Sequence, residues 1–152
     1  MMYDENVLVS FSKRVLENYK TNKTEDNEVT LALCSLAGIL SILDDEARKD
    51  IFKDSCLPDY IKTEDNLYVD RERDCGLKNI AIIRHFRNSL CHLKLNENTI
   101  SKNAVNRITA INFRDYYQGG CNFECKLKVG ELGQFCCFLV ETITKKLSKI
   151  VS

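Results

Sequence analysis

Both histidines of this 152-residue chain fall inside one short segment, Ile83-Arg84-His85-Phe86-Arg87-Asn88-Ser89-Leu90-Cys91-His92, with two arginines between and before them. These residue types suit cleavage of RNA without a metal. The 2′-hydroxyl must lose a proton as it attacks the adjacent phosphorus, and the leaving 5′-oxygen must gain one. A histidine, with a reference pKa near ~6.5, serves as acid or base at neutral pH. A guanidinium pairs with two phosphoryl oxygens and stabilises the charge that builds in the transition state. An asparagine orients the histidine or holds a phosphate oxygen. No carboxylate cluster suggests a two-metal mechanism. On composition alone, a helix rich in Arg, His and Asn is more often just a solvated face.

The spacing sharpens the reading. Arg84 and Asn88 are four residues apart, as are Asn88 and His92, and His85, Asn88 and His92 share one helical face. Arg87 and His92 are five apart, about 140° around an ideal helix. They converge only if the helix ends at His92 or if a second subunit completes the pocket.

The elements that must position this segment are mostly helical. Leu8, Phe11, Val15 and Tyr19 recur at helical steps, with Lys13, Arg14 and Glu17 on the wet side, and polar residues 21–27 stop that helix. A second helix runs from Asn27 or Glu28 to about Leu43. It is apolar nearly all round, as the central helix of a bundle would be. Its Gly38 costs up to ~1 kcal/mol relative to Ala unless a neighbouring helix approaches closely. Glu46 to Lys53 suits a short helix, Pro58 marks a break, and charged residues 62–74 read as a surface connection. The helix carrying the chemistry spans about Leu77–Leu93, with Ile82, Phe86, Leu90 and Leu93 toward the core.

After it the period changes to two. Ile108 to Phe113 has strand composition, and Phe123, Cys125, Leu127 and Val129 alternate with Glu124, Lys126 and Lys128. Turn-forming residues 118–122 lie between them, so a β-hairpin is expected over roughly 107–129. An isolated hairpin is marginal in water and should pack on the helices or on a second subunit. A last helix opens at Gly130-Glu131 and runs to about Ile150. Its stripe is Leu132, Phe135, Phe138 or Leu139, and Ile143. The expectation is a mainly α fold: a helical bundle with a small β-hairpin before the last helix, in a single domain over 1–152.

Hydrophobic residues make up 44% and charged residues 29%, a globular balance that argues against disorder. The 22 basic and 22 acidic residues cancel, which speaks against a broad basic face for duplex DNA but allows a local basic pocket. Eight cysteines occur without a CxxC pair, and the acidic start Met1-Met2-Tyr3-Asp4-Glu5-Asn6 leads into no long apolar run. Reduced thiols in a cytoplasmic protein are expected, several of them acting as small core hydrophobes. Cys121, Cys125, Cys136 and Cys137 offer only a weak metal-site pattern, and no metal or cofactor is expected. The apolar stretch from Val29 to Leu43 falls short of the ~20 residues that span a bilayer, so no membrane partner is expected.

The segment Arg87-Asn88-Ser89-Leu90-Cys91-His92 resembles the Arg-x4–6-His signature of HEPN domains in its R-N-x-x-x-H form. Residues 11–18 and 28–40 look like the first two helices of the HEPN group named after the plasmid protein pEK499 p136. The run Ile108–Asp115 and Val129-Gly130-Glu131-Leu132 are also similar to that group. The resemblance implies a helical bundle that dimerises so that two such motifs face one cleft. It implies a metal-independent endoribonuclease in a toxin–antitoxin, phage-defence or RNA-processing setting, with RNA as substrate and an antitoxin protein as a possible partner. Arg87 and His92 match its catalytic positions and Asn88 its auxiliary polar position. Arg84, His85 and Lys94 are outer candidates for holding substrate, and Glu28 resembles a polar residue of the second helix that lines the cleft. Cys91 and Leu93 flank the histidine where the family often has Ala or Gly. Lys94 replaces the Tyr of HEPN toxins paired with nucleotidyltransferase antitoxins, which speaks mildly against that partner. Many HEPN relatives have lost catalysis, so the alternative is an inactive module binding RNA, a nucleotide or a protein.

Overall fold

The structure, a computed structural model, describes residues 3–62, 66–68 and 78–148. The charged connection expected over 62–74 therefore lies largely outside the described residues, as do the expected first residue of the chemistry-bearing helix and the last residues of the final helix. The chain is mainly α, with a small antiparallel sheet inserted before the last helix.

The helix α1 covers Glu5–Asn22. The Asp4 side chain caps its first turn by accepting from the Val7 N–H at 3.1 Å. Its buried face is Leu8, Ser12 and Tyr19, with Val15 half-buried. Phe11, expected in the stripe, stands exposed instead, and Ser12 takes the inward position. A serine is tolerated there because its hydroxyl donates to the Val9 carbonyl at 3.1 Å. The next helix, α2, covers Glu28–Ser41 and packs on α1 and on two later helices. Ala32, Ser35, Leu36, Ile39 and Leu40 are buried, while Thr30, Cys34, Ala37 and Ser41 are exposed, so α2 is not enclosed on every side. Nothing approaches the missing Cβ of Gly38, so the close neighbour expected there is not what the structure has. The close approach occurs on the last helix: a Cβ on Gly133 would meet the Tyr19 hydroxyl, which leaves no room for a side chain.

Two short helices follow. Asp44 caps α3, Asp45–Phe52, through the Ala47 N–H at 2.8 Å. Pro58 precedes the single turn α4, Asp59–Lys62. Strand β1, Leu67–Tyr68, leads toward α5, Lys78–Cys91. Strands β2 (Ile100–Lys102), β3 (Ile108–Tyr117) and β4 (Gly120–Lys128) come next, and α6, Val129–Ser148, closes the described chain.

The expected hairpin is β3–β4, joined through Gln118 and Gly119, both with positive φ (51° and 80°). That pair of values matches a two-residue turn whose twist suits antiparallel strands. The hairpin is not alone. The sheet order is β1-β4-β3-β2, so each long strand has a short neighbour on its outer edge. Pairing of this kind covers backbone groups that a bare hairpin would expose. Neither outer strand has enough residues to show a period in the sequence.

Four phenylalanines join the layers. Phe86 of α5 is fully buried, its ring centroid 5.4 Å from Phe113 (β3), 5.0 Å from Phe123 (β4) and 4.6 Å from Phe135 (α6). Tilted and edge-on rings at such distances are favourable aromatic arrangements. They hold α5 between the sheet and α6. No described helix is long and apolar enough to cross a membrane.

Candidate active site

Helix α5 turns its apolar residues Ala81, Ile82, Ile83 and Phe86 inward, and with them His85 and Ser89. Leu90 and Leu93, expected in the core stripe, are half-buried against it. The opposite side carries Arg84, Arg87 and Asn88, all partly exposed. The helix ends at Cys91. The His92 N–H reaches the Asn88 carbonyl at 3.3 Å and the Leu93 N–H reaches the Leu90 carbonyl at 3.4 Å, a tightening common at helix C-termini. His92 is thus the first residue past the helix, with its side chain exposed. Being released from the α5 frame, it is not bound to the 140° separation from Arg87 that a straight helix imposes.

Arg87 is half-buried and has no hydrogen-bond or ion-pair partner among the described residues. Its neighbour in charge is Arg48 of α3, a fully buried arginine that sequence reasoning passed over. Arg48 donates to the Leu43 carbonyl and to the Asp45 carboxylate. Burial pushes its guanidinium below the ordinary arginine value; Asp45 opposes this, and the charges of Arg87 and Arg84 add to the lowering. Arg48 therefore feels both arginines of α5, and positive charge collected in this way favours an anion at its exposed end. The signal for Arg48 was its place among Ala47, Ile51 and Phe52, the inward positions of α3.

The side of α5 facing the sheet holds a second group. His85 is fully buried, stacked on Phe123 at 5.1 Å and edge-on to Tyr68 at 5.8 Å. Its Nδ1 lies 2.7 Å from Asp115 Oδ2. Asn88 Nδ2 donates to that same oxygen at 3.2 Å. Asp115 also escaped the sequence reading. Its trace there was register: with Ile111 and Phe113 it occupies alternate positions of β3, so a carboxylate continues an apolar face.

The structure therefore gathers Arg84, Arg87, Asn88 and His92 along α5 and its end, with exposed Lys94 two residues on. It does not bring His85 to the surface as a substrate contact; stacking on Phe123 fixes it inside. Glu28 lies elsewhere. It accepts from the Tyr19 hydroxyl at 3.5 Å and lines a groove of about 530 Å³ with Tyr60, Gly133 and Cys137, to which no α5 residue contributes. Burial, with Glu28 beside it, pushes the Tyr19 phenol up to about 12. The described cysteines are free thiols, and burial pushes Cys125 and Cys136 up to about 12, as fits small core fillers. Among the described residues no three His, Cys, Asp or Glu side chains gather as a metal-binding group.

Among the described residues the fold is a helical bundle with a sheet inserted before the last helix, and an exposed histidine directly follows the helix of clustered Arg, Asn and His. Residues 2–149 match the model of the family described as HEPN pEK499 p136, and the chain belongs to that family. No match was found among curated proteins or among solved structures.

Proposed function

We propose that the chain acts, as a single domain, as a metal-independent endoribonuclease. The observation that carries this reading is Arg87: a half-buried guanidinium without a carboxylate among the described residues, close enough to Arg48 for its charge to be felt there, five residues before an exposed histidine. An unpaired, partly desolvated guanidinium is costly unless an anion occupies it in function. A phosphodiester is such an anion. In the proposed reaction the 2′-oxygen forms a bond to phosphorus as the bond from phosphorus to the 5′-oxygen breaks. His92 exchanges the proton and Arg87 holds the non-bridging oxygens, leaving a 2′,3′-cyclic phosphate and a 5′-hydroxyl. Arg84 and Lys94 hold flanking phosphates. Membership of a HEPN family supports this reading.

The exposure of His92 leaves the proposed site open on one side. A second copy of the chain closes it, so that Arg87 of one protomer works with His92 of the other. A toxin–antitoxin or phage-defence setting, in the cytoplasm and with an antitoxin protein as partner, belongs to the same proposal.

The test is cleavage of single-stranded and structured RNA in EDTA. Arg87→Ala and His92→Ala each lower the rate by about 10²–10⁴-fold, the range for loss of an acid–base or charge-stabilising group. The alternative, an inactive module that binds RNA, a nucleotide or a protein, predicts binding weakened by Arg84→Ala or Arg87→Ala and no cleavage by the wild type.

A further inference from the structure

Asn88 sits beside the proposed Arg87–His92 pair, and its amide has two chemically different ends. Only a donor can face an ionised carboxylate oxygen. Asp115 Oδ2 lies 3.2 Å from Asn88 Nδ2, so the carboxylate dictates which way the amide is turned. The same oxygen lies 2.7 Å from His85 Nδ1. Stacking on Phe123 and edge contact with Tyr68 lock the His85 ring, and Asp115 pairs across the ladder with Phe123 itself. The carboxylate is therefore held from two sides, and Asn88 inherits its precision. With Nδ2 committed inward, Oδ1 becomes the outward end. No described group donates to it.

An outward amide oxygen accepts hydrogen bonds. It is unsuited to a phosphate oxygen, which also only accepts. The group on an RNA chain next to the scissile phosphorus that donates is the ribose 2′-hydroxyl, and DNA lacks it. We infer that Asp115 is a positioning residue that turns the Asn88 amide so that Oδ1 accepts from the ribose 2′-hydroxyl, making Asn88 the residue that tells RNA from DNA. This rests on the ribonuclease reading for its substrate class but not on turnover.

The experiment is binding, by fluorescence anisotropy, of a labelled RNA 12-mer and its all-deoxy counterpart to the His92→Ala protein. One hydrogen bond to the 2′-hydroxyl makes RNA the tighter ligand by about fivefold. Asp115→Ala, which removes the acceptor, added to His92→Ala, brings the two affinities within about twofold, as does Asn88→Ala, and the two together do no more than either alone, because they break one linkage. Discrimination that survives Asp115→Ala overturns the inference, as does its absence in His92→Ala. Should Asp115→Ala fail to fold, solvent exchange of the Asn88 side-chain amide in the wild-type protein decides. Protection well beyond that of exposed Asn98 supports the inference, and exchange as fast as Asn98 overturns it. A wild type that discriminates RNA from DNA yet cleaves neither would sink the nuclease reading alone.

Discussion

At the scale of single residues, the proposed site sets groups that meet solvent beside groups that do not. Arg87 is half-buried and His92 is exposed; His85 and Arg48 are fully buried. Sequence spacing separated these poorly. His85, Asn88 and His92 share a helical face in the abstract, yet the sheet covers only its first part. His85 is buried, Asn88 is half-buried, and His92 has passed the helix end. The Arg87–His92 pair was legible because motif spacing is local. Asp115 was not, since it acts across a sequence gap that only the fold closes: it lies 30 residues from His85. Nor was Arg48: its partners, Leu43 and Asp45, are local, and only its full burial sets it apart from a surface arginine. A residue-level consequence follows for Arg48. Its side chain is buried with Asp45 as its only described carboxylate partner. Asp45→Ala should lower the midpoint of urea unfolding by the equivalent of about 1–3 kcal/mol, since a buried charge would lose its charged acceptor. An unchanged midpoint would show that the Leu43 carbonyl suffices.

At the scale of elements, α5 is held by aromatic packing rather than by its polar face. Phe86→Ala removes a fully buried ring with three aromatic neighbours and should cost about 3–5 kcal/mol in urea unfolding. A loss under ~1 kcal/mol would mean that α5 is anchored otherwise. Contact between α1 and α6 depends on Gly133, whose missing side chain makes room for the Tyr19 hydroxyl. Gly133→Ala should destabilise by about 1–3 kcal/mol through overpacking, in spite of the helix propensity alanine adds. Adding Tyr19→Phe should return part of that loss, which a double-mutant cycle of thermal melts would detect. The six helices of the described residues and the hairpin differ in how plainly their residues announce them. Long amphipathic stretches and the alternation of β4 read directly, within a residue or two of the observed ends. The inward face of α1 was misjudged because a serine satisfied by a backbone carbonyl replaced Phe11. The short strands β1 and β2 are made by their partners, with too few residues to carry a period of their own.

At the scale of the whole molecule, the proposal that a second copy completes the site makes a quantitative demand. Mixing Arg87→Ala with His92→Ala protein should restore about a quarter of wild-type cleavage, because half the dimers are mixed and one of their two sites has both groups. No recovery, with mixed dimers demonstrated by native mass spectrometry, would place both groups of a site on one chain. Family membership and the mainly α architecture rest on the whole chain; the ribonuclease reading rests on two of its side chains. The measurement that bears on it most directly is cleavage of RNA in EDTA by wild type and by His92→Ala and Arg87→Ala, with the product ends identified. The account predicts 2′,3′-cyclic phosphate ends from the wild type and a loss of about 10²-fold or more from each variant. Undiminished cleavage by both variants would contradict it.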